Sequence, residues 1–265
     1  MTKVIELIDA SVFVNNGFDE VKTILDKVSL NIYEHDFITI LGGNGAGKST
    51  LFNVIAGTLK LSEGHIKILG KDVTSFGPER RANYLSRVFQ DPKMGTAPRM
   101  TVAENLLIAE KRGQKRKLAS RSMKNRDAQF TQLLSRTGNG LENHLQTPTG
   151  LLSGGQRQAL SLLMATLKRP DLLLLDEHTA ALDPKTSLAL MGLTNDCVNQ
   201  EKLTALMITH HMEDALTYGN RVLVMKDGKI IKDLNKEEKA QLNIYFFFFN
   251  SIDILKILKT SLCSF

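Results

Sequence analysis

One stretch, Gly42-Gly43-Asn44-Gly45-Ala46-Gly47-Lys48-Ser49-Thr50, constrains this chain more than any other. It fits the pattern Gly-x-x-x-x-Gly-Lys-Ser/Thr, in which glycines let successive backbone N–H groups close around a phosphate chain. The lysine of such a loop reaches the outer phosphates and the hydroxyl ligates Mg²⁺. Here those residues are Lys48 and Ser49, and the stretch reads as a nucleoside triphosphate site. Its surroundings agree. Residues 37–41 (Phe-Ile-Thr-Ile-Leu) form a short apolar, partly β-branched run expected to be a buried strand. Residues 48–56 read as a helix ended by Gly57. Strand, loop and helix is the context that gives the pattern its meaning.

The rest of the chain supplies strands and helices for a core around that loop. With 265 residues, 42% of them hydrophobic and 23% charged, it is long enough for one large or two small globular units. Strand-like runs at 4–8, 12–14, 28–32 and 37–41, separated by turns such as Asn15-Asn16-Gly17, predict a small antiparallel sheet leading into the loop, continued by 65–69. Gly70-Lys71-Asp72 is expected to be a turn. Residues 83–89 read as a core strand stopped at Gln90-Asp91-Pro92, because a proline cannot donate to a ladder. From 97 to 152 the texture turns helical, with Thr101-Val102-Ala103-Glu104 as a capping box, so a helical subdomain is expected to be inserted there. Strands and helices then alternate: helix 156–168, strand 172–175, a helix after Pro184, strand 203–208, helix 212–218 and a hairpin over 221–232 turning at Asp227-Gly228. This alternation predicts an α/β fold with a mostly parallel sheet and helices on both faces.

Two further constellations carry chemistry. The run Leu172-Leu173-Leu174-Leu175 ends in Asp176-Glu177. A phosphate-loop enzyme needs an acid at a strand end beside the loop to hold Mg²⁺, which suits Asp176, and Glu177 would polarise a water for in-line attack on the γ-phosphate. Ser153-Gly154-Gly155-Gln156 precedes a helix, with Ser153 as N-cap and the paired glycines presenting N–H groups at a positive dipole end. The loop already wraps the phosphate that Lys48 reaches. A second anion site for one nucleotide therefore points to a contribution from another subunit.

In this order Gly42 to Thr50, Gln90, Leu152 to Gln156, Asp176-Glu177, Ala181-Leu182-Asp183 and Thr209-His210 resemble the motif set of an ATP-binding-cassette (ABC) transporter ATPase subunit, over residues 3–233. The Leu-Ser-Gly-Gly-Gln element is highly specific to that family. The resemblance implies a P-loop ATPase core with an N-terminal antiparallel β subdomain and an inserted helical subdomain, together making an ATPase domain of residues 1–242. It also implies that Phe13 stacks on adenine and that Gln90 senses Mg²⁺ and couples to a permease. Ser153 and Gly155 would contact the γ-phosphate of ATP held by the opposite subunit, with Gly154 and Gln156 also in the nucleotide-binding set, Asp183 would bridge subunits, and His210 would be the switch histidine on the γ-phosphate. Phe18 competes with Phe13 for the adenine contact, and His211 with His210. The implied cofactors are ATP and Mg²⁺. The implied partners are a second copy of the chain, integral membrane permease subunits and, indirectly, an extracytoplasmic substrate-binding protein. Gly43 and His178 stand where many relatives have proline. Together with Val88-Phe89-Gln90-Asp91-Pro92 and Gly95-Thr96-Ala97-Pro98, these departures are similar to a bacterial uptake group described as tryptophan/tyrosine-type transporters.

Charge and composition narrow the setting. A formal net charge of +6 is modest, and the basic stretch from Lys111 to Arg126 reads either as a solvated helix or as a contact for acidic headgroups or a partner. No aromatics interleave it, so nucleic-acid binding is not expected. Cys197 and Cys263 have no metal-like spacing and form no disulfide framework, which makes a reducing cytoplasmic setting the expectation. The first residues lack the apolar run of a signal peptide, and the most apolar stretch, 244–258, is broken by Asn250, Asp253 and Lys256. A peripheral place on the cytoplasmic face of the membrane follows from the resemblance. Residues 243–265, with Phe246-Phe247-Phe248-Phe249, fit the family poorly: a membrane-adhering or docking tail, a disordered end and a reading-frame slip all stay open. Two rival readings, an ABC protein acting on nucleic acid or the ribosome and a membrane-associated mechanical regulator, differ in partner and not in the ATP site.

Overall fold

The computed structural model describes residues 2–15, 21–114 and 126–241. Phe18, most of the basic stretch and the segment 243–265 lie outside the described residues.

Two sheets organise the chain. The first is antiparallel, in the order β2-β1-β4-β5, built from β1 (Lys3–Asn15), β2 (Val21–Tyr33), β4 (Glu63–Ile68) and β5 (Lys71–Asp72). The apolar runs at 4–8 and 12–14 belong to one continuous strand of 13 residues. The polar break between them is a bulge: the pairing with β2 shifts between Leu7 and Ala10. There Asp9 takes φ 46° and donates its N–H to Ser29 Oγ at 3.0 Å. Lys71 and Asp72, expected in a turn, pair instead with Ile68 and Lys67, and the reversal falls on Leu69 and Gly70.

The second sheet has the order β10-β9-β3-β8-β7-β6. Its members are β3 (Phe37–Leu41), β6 (Leu85–Val88), β7 (Leu172–Asp176), β8 (Ala205–Ile208), β9 (Arg221–Lys226) and β10 (Lys229–Leu234). All adjacent pairs are parallel except the hairpin β9–β10. Because side chains alternate along a strand, the central strands feed two cores. Ile38, Ile40, Leu172, Leu174, Leu206 and Ile208 face α1 (Lys48–Ala56) and the antiparallel sheet, joining Leu51, Phe52, Val54 and Ile55. Phe37, Leu173, Leu175, Ala205 and Met207 face the other way. They pack on Ala159 and Leu162 of α5 (Gly154–Leu167) and on Leu190 and Met191 of α6 (Pro184–Gln200).

Helix α5 is buried on a second side as well. Its Leu160 and Leu163 join Val102 and Leu106 of α3 (Val102–Glu110) and Phe130 and Leu134 of α4 (Asp127–Ser135). The Thr101–Glu104 capping box opens α3 as the sequence predicts, with both of its hydrogen bonds made. The short α2 (Pro78–Arg81) has no counterpart among the sequence expectations. It delivers Arg81 to the end of α1, where the guanidinium donates to the carbonyls of Val54 and Ile55 and also to Val73 at 2.9 Å. A cation at a helix C-terminus satisfies orphan carbonyls and opposes the helix dipole. Burial lowers the Arg81 pKa to about 10. The chain then runs through α7 (Met212–Thr217) into the closing hairpin.

Candidate functional site

Strands β3, β8 and β7 are neighbours and parallel, so their C-terminal ends lie side by side. Each ends in a candidate residue. β3 runs into the loop 42–50, β8 into Thr209 and His210, and β7 into Asp176 and Glu177. Ligands of open α/β sheets gather at this edge.

The phosphate loop enters α1 through Gly47, which is the N-cap in the left-handed region (φ 96°) and supplies no side-chain cap. A Cβ there would stand 2.9 Å from Leu25 Cδ2 and 3.0 Å from the Ile24 carbonyl, so β2 closes against the loop and only glycine fits. Gly43, Asn44 and Gly45 are exposed, whereas Ala46, Gly47 and Lys48 are buried. Lys48 Nζ donates to the carbonyls of Gly42 at 2.7 Å and Gly43 at 3.1 Å, leaving one of an ammonium's three donors. Burial pulls its pKa below the ordinary lysine value, against the opposing pull of Glu177 and Asp176. Those two carboxylates are therefore its electrostatic neighbours.

Glu177 leaves β7 at φ 46° and donates its N–H to the Ile208 carbonyl at 3.2 Å. That turn brings its Oε1 to 2.6 Å from His210 Nε2. His211 instead serves as the N-cap residue of α7. Ser49 is exposed on the first turn of α1, and Gln90 is exposed just beyond β6. Phe13 lies on β1 opposite Thr23, 37% exposed. Its neighbour Val12 pairs with Leu25, the residue that closes on Gly47. Thus the hairpin that carries Phe13 flanks the loop.

The second constellation is assembled elsewhere. Ser153 caps α5 with a complete capping box: its Oγ accepts from Gln156 N, and Gln156 Oε1 accepts from Ser153 N, both at 3.2 Å. Ser153, Gly154, Gly155 and Gln156 line a cleft of ≈ 400 Å³ together with Asp183, which caps α6 by accepting from Thr186 N at 3.1 Å. Among the described residues, those lining this cleft include none from 42–50.

Other side chains around the first site went unread in the sequence. Arg87 of β6 donates to Asp176 Oδ2 at 2.5 Å and to Asn53 Oδ1 of α1 at 2.8 Å. Its signal was a charged residue inside the run Leu85-Ser86-Arg87-Val88-Phe89, since arginine is seldom buried unless paired. His178, in a position noted only as a departure from proline, is fully buried. Its Nε2 lies 2.9 Å from Thr194 Oγ1, and burial lowers its pKa to about 4, so it is neutral at physiological pH.

This arrangement fits a magnesium nucleotide. An uncapped helix start with exposed glycines before it offers N–H groups to phosphate. The hydroxyl of Ser49, the carboxylate of Asp176 and the amide oxygen of Gln90 are a small set of hard oxygen donors. Mg²⁺ is bound through few protein ligands, with phosphate oxygens and waters completing its shell.

Comparisons with known proteins agree with this chemistry. A family model described as ABC transporter matches residues 25–180. The chain is 41% identical over 229 residues to a tyrosine transport ATP-binding protein of Clostridioides difficile (strain R20291), covering 86% of this chain and 91% of that one. It is 35% identical over 204 residues to the thiamine import ATP-binding protein ThiQ of Escherichia coli (strain K12), covering 77% and 83%. Among solved structures, cbiO1 from Clostridium perfringens, part of an ABC transporter complex, superposes with a TM-score of 0.74 at 27% identity, covering 97% of this chain and 99% of that one. A dimeric ATP-binding cassette in a post-hydrolysis state, bound to ADP and Pi, gives 0.73 at 26% identity, covering 88% and 98%.

Proposed function

The chain belongs to the ABC transporter family as an ATP-binding, ATP-hydrolysing subunit, and on that premise we propose how its residues divide the work. The observation that carries the proposal is the 2.6 Å contact of Glu177 with His210 at the joined ends of β7 and β8, next to the buried Lys48.

In this reading Phe13 stacks on the adenine, and the N–H groups of Gly42, Gly43, Asn44, Gly45, Ala46, Gly47, Lys48, Ser49 and Thr50 wrap the phosphates. Lys48 turns its remaining donor to the outer phosphates. Glu177 orients a water and takes its proton as the water oxygen bonds to the γ-phosphorus. The bond from that phosphorus to the β–γ bridging oxygen breaks, releasing ADP and phosphate. His210, steered by Glu177, donates to a γ-phosphate oxygen. Ser49, Asp176 and Gln90 would hold Mg²⁺, which when bound offsets charge on the β- and γ-phosphate oxygens. Preorganised donors of this kind supply the largest share of rate enhancement in many enzymes.

The site is completed by a second copy. Ser153, Gly154, Gly155 and Gln156 offer a helix start to the γ-phosphate bound by the partner, and Asp183 crosses the interface beside them. Residues 1–242 form the ATPase domain, and 97–152 are its inserted helical subdomain. The dimer works on the cytoplasmic face of the membrane against separate permease subunits, with an extracytoplasmic binding protein delivering the solute. Relatives named for tyrosine and thiamine transport support uptake of a small solute such as an amino acid.

Glu177→Gln tests the shared site. Without the base, ATP stays intact between two copies, and size-exclusion chromatography in MgATP is expected to show a dimer that the native protein forms only transiently. A Glu177→Gln protein that binds MgATP and still elutes as a monomer would overturn the two-copy site.

A further inference from the structure

Arg87 is a largely buried cation that plays no part in the ATP reaction proposed for this chain. Its side chain and that of Asp176 are only 12% and 14% exposed. One arm of the guanidinium fork donates to Asp176 Oδ2 at 2.5 Å, and the other to Asn53 Oδ1 at 2.8 Å. The planar group lies over Phe89, 4.9 Å from the ring centroid, and over Phe52 at 6.0 Å. Its Nε is buried with no hydrogen-bond partner, so the side chain leaves one nitrogen unpaired while the other two hold their acceptors.

Each contact leads to a different element. Asn53 stands four residues after Ser49 on α1, hence on the same helix face. Asp176 is the last residue of β7. Phe89 immediately precedes Gln90, and its carbonyl is fixed in turn by Gln158 Nε2 at 2.8 Å. A single fork thus ties together the three chain segments that bear Ser49, Asp176 and Gln90. It also occupies one oxygen of Asp176, which leaves the carboxylate in one orientation with its other oxygen uncommitted to the arginine.

We propose that Arg87 is the positioning residue of the magnesium site, setting Asp176 and Gln90 against the face of α1 that carries Ser49 so that Mg²⁺ and ATP join at one fixed place. The proposal rests on the reading of the ATP site given above. Arginine suits the task because its planar fork spans two acceptors while its faces stack on aromatics; a lysine would meet one acceptor as a point charge. Partners that hydrogen-bond a metal's carboxylate ligand, without touching the metal, typically govern affinity by about 10–100-fold.

The test is the ratio of ATP affinity with excess Mg²⁺ to that in EDTA, by calorimetry on the full chain. Arg87→Met is expected to lower this ratio about tenfold while leaving binding in EDTA, which depends on the loop and Lys48, within about twofold. Arg87→Lys should restore part of the ratio. Asn53→Leu, which cuts one arm and spares the ion pair, should lower it severalfold, and decides the matter alone if Arg87→Met does not fold. A native ratio in folded Arg87→Met, or in Asn53→Leu where the first variant is lost, overturns the proposal. So does an equal loss with and without metal, which marks general damage. Lys48→Ala, by contrast, must weaken binding in EDTA itself; a failure there sinks the ATP-site reading and not the role of Arg87.

Discussion

Two helix starts in this molecule, both proposed above to meet phosphate, are built in opposite ways. Helix α1 begins at a left-handed Gly47 with no side-chain cap and no acid in its first turn, behind a buried Lys48. Helix α5 begins at Ser153 with a closed capping box and opens into an exposed cleft beside Asp183. A helix start with orphan N–H groups is stabilised by an anion, whereas a capped one has part of that need met by its own side chains. The first start is therefore the unfinished one, and the second has its cap closed, though not every N–H group met, within a single copy. This difference suits the proposed division, in which the loop holds its own nucleotide and the start of α5 meets one only when two copies close.

The comparison breaks most sharply at Lys48. Lys48→Ala removes a buried cation from the unfinished start, and ATP affinity of the single chain is expected to fall at least about a hundredfold, or ~3 kcal/mol. Fluorescence titration with ATP measures it. A loss below about threefold would sink the reading of this loop as the ATP site, and with it α1 as the more demanding start.

Glycine replacements probe the same contrast through the backbone. At Gly47 alanine meets both a left-handed φ and the Ile24 carbonyl 3.0 Å from its Cβ, so Gly47→Ala should cost about 1–3 kcal/mol of stability as well as ATP binding. At Gly154 the Cβ would lie 3.6 Å from Leu182 Cδ2, an ordinary contact on a helical backbone. Gly154→Ala should unfold at the same urea concentration as the native chain, or be more stable by up to about 1 kcal/mol. Equal destabilisation at the two glycines would erase the distinction between the two starts.

Much of this was legible in the sequence because local signals carried it. The loop 42–50, the capping box at Thr101, the N-cap at Ser153, the apolar strand before Asp176 and the turn at Asp227-Gly228 are each specified within a few residues, and each is found where the sequence places it. What the sequence hid depends on residues far apart in the chain. Arg87 lies 34 residues from Asn53 and 89 from Asp176, and Arg81 lies 27 from the Val54 carbonyl. No periodicity reports such meetings. The bulge at Asp9 misled for a related reason: a polar interruption looks like a turn until the partner strand supplies Ser29. Of the two adjacent histidines, the turn after β8 sets His210 against Glu177 while His211 opens α7, another meeting that local sequence does not report.

The most discriminating change has a small effect, and it belongs to Ser153. Replacing Ser153 with alanine removes the acceptor for Gln156 N while Gln156 Oε1 still receives the backbone N–H of residue 153. Losing such a cap costs about 1 kcal/mol, which a urea midpoint resolves. The same change should leave ATP affinity of the single copy untouched, because the cleft around Ser153 excludes the loop that binds its own nucleotide. Introduced alongside Glu177→Gln, it should weaken the MgATP-dependent dimer. A Ser153→Ala chain with impaired ATP binding as a monomer would place both helix starts on one nucleotide within one copy, and the division between a finished and an unfinished start would fail.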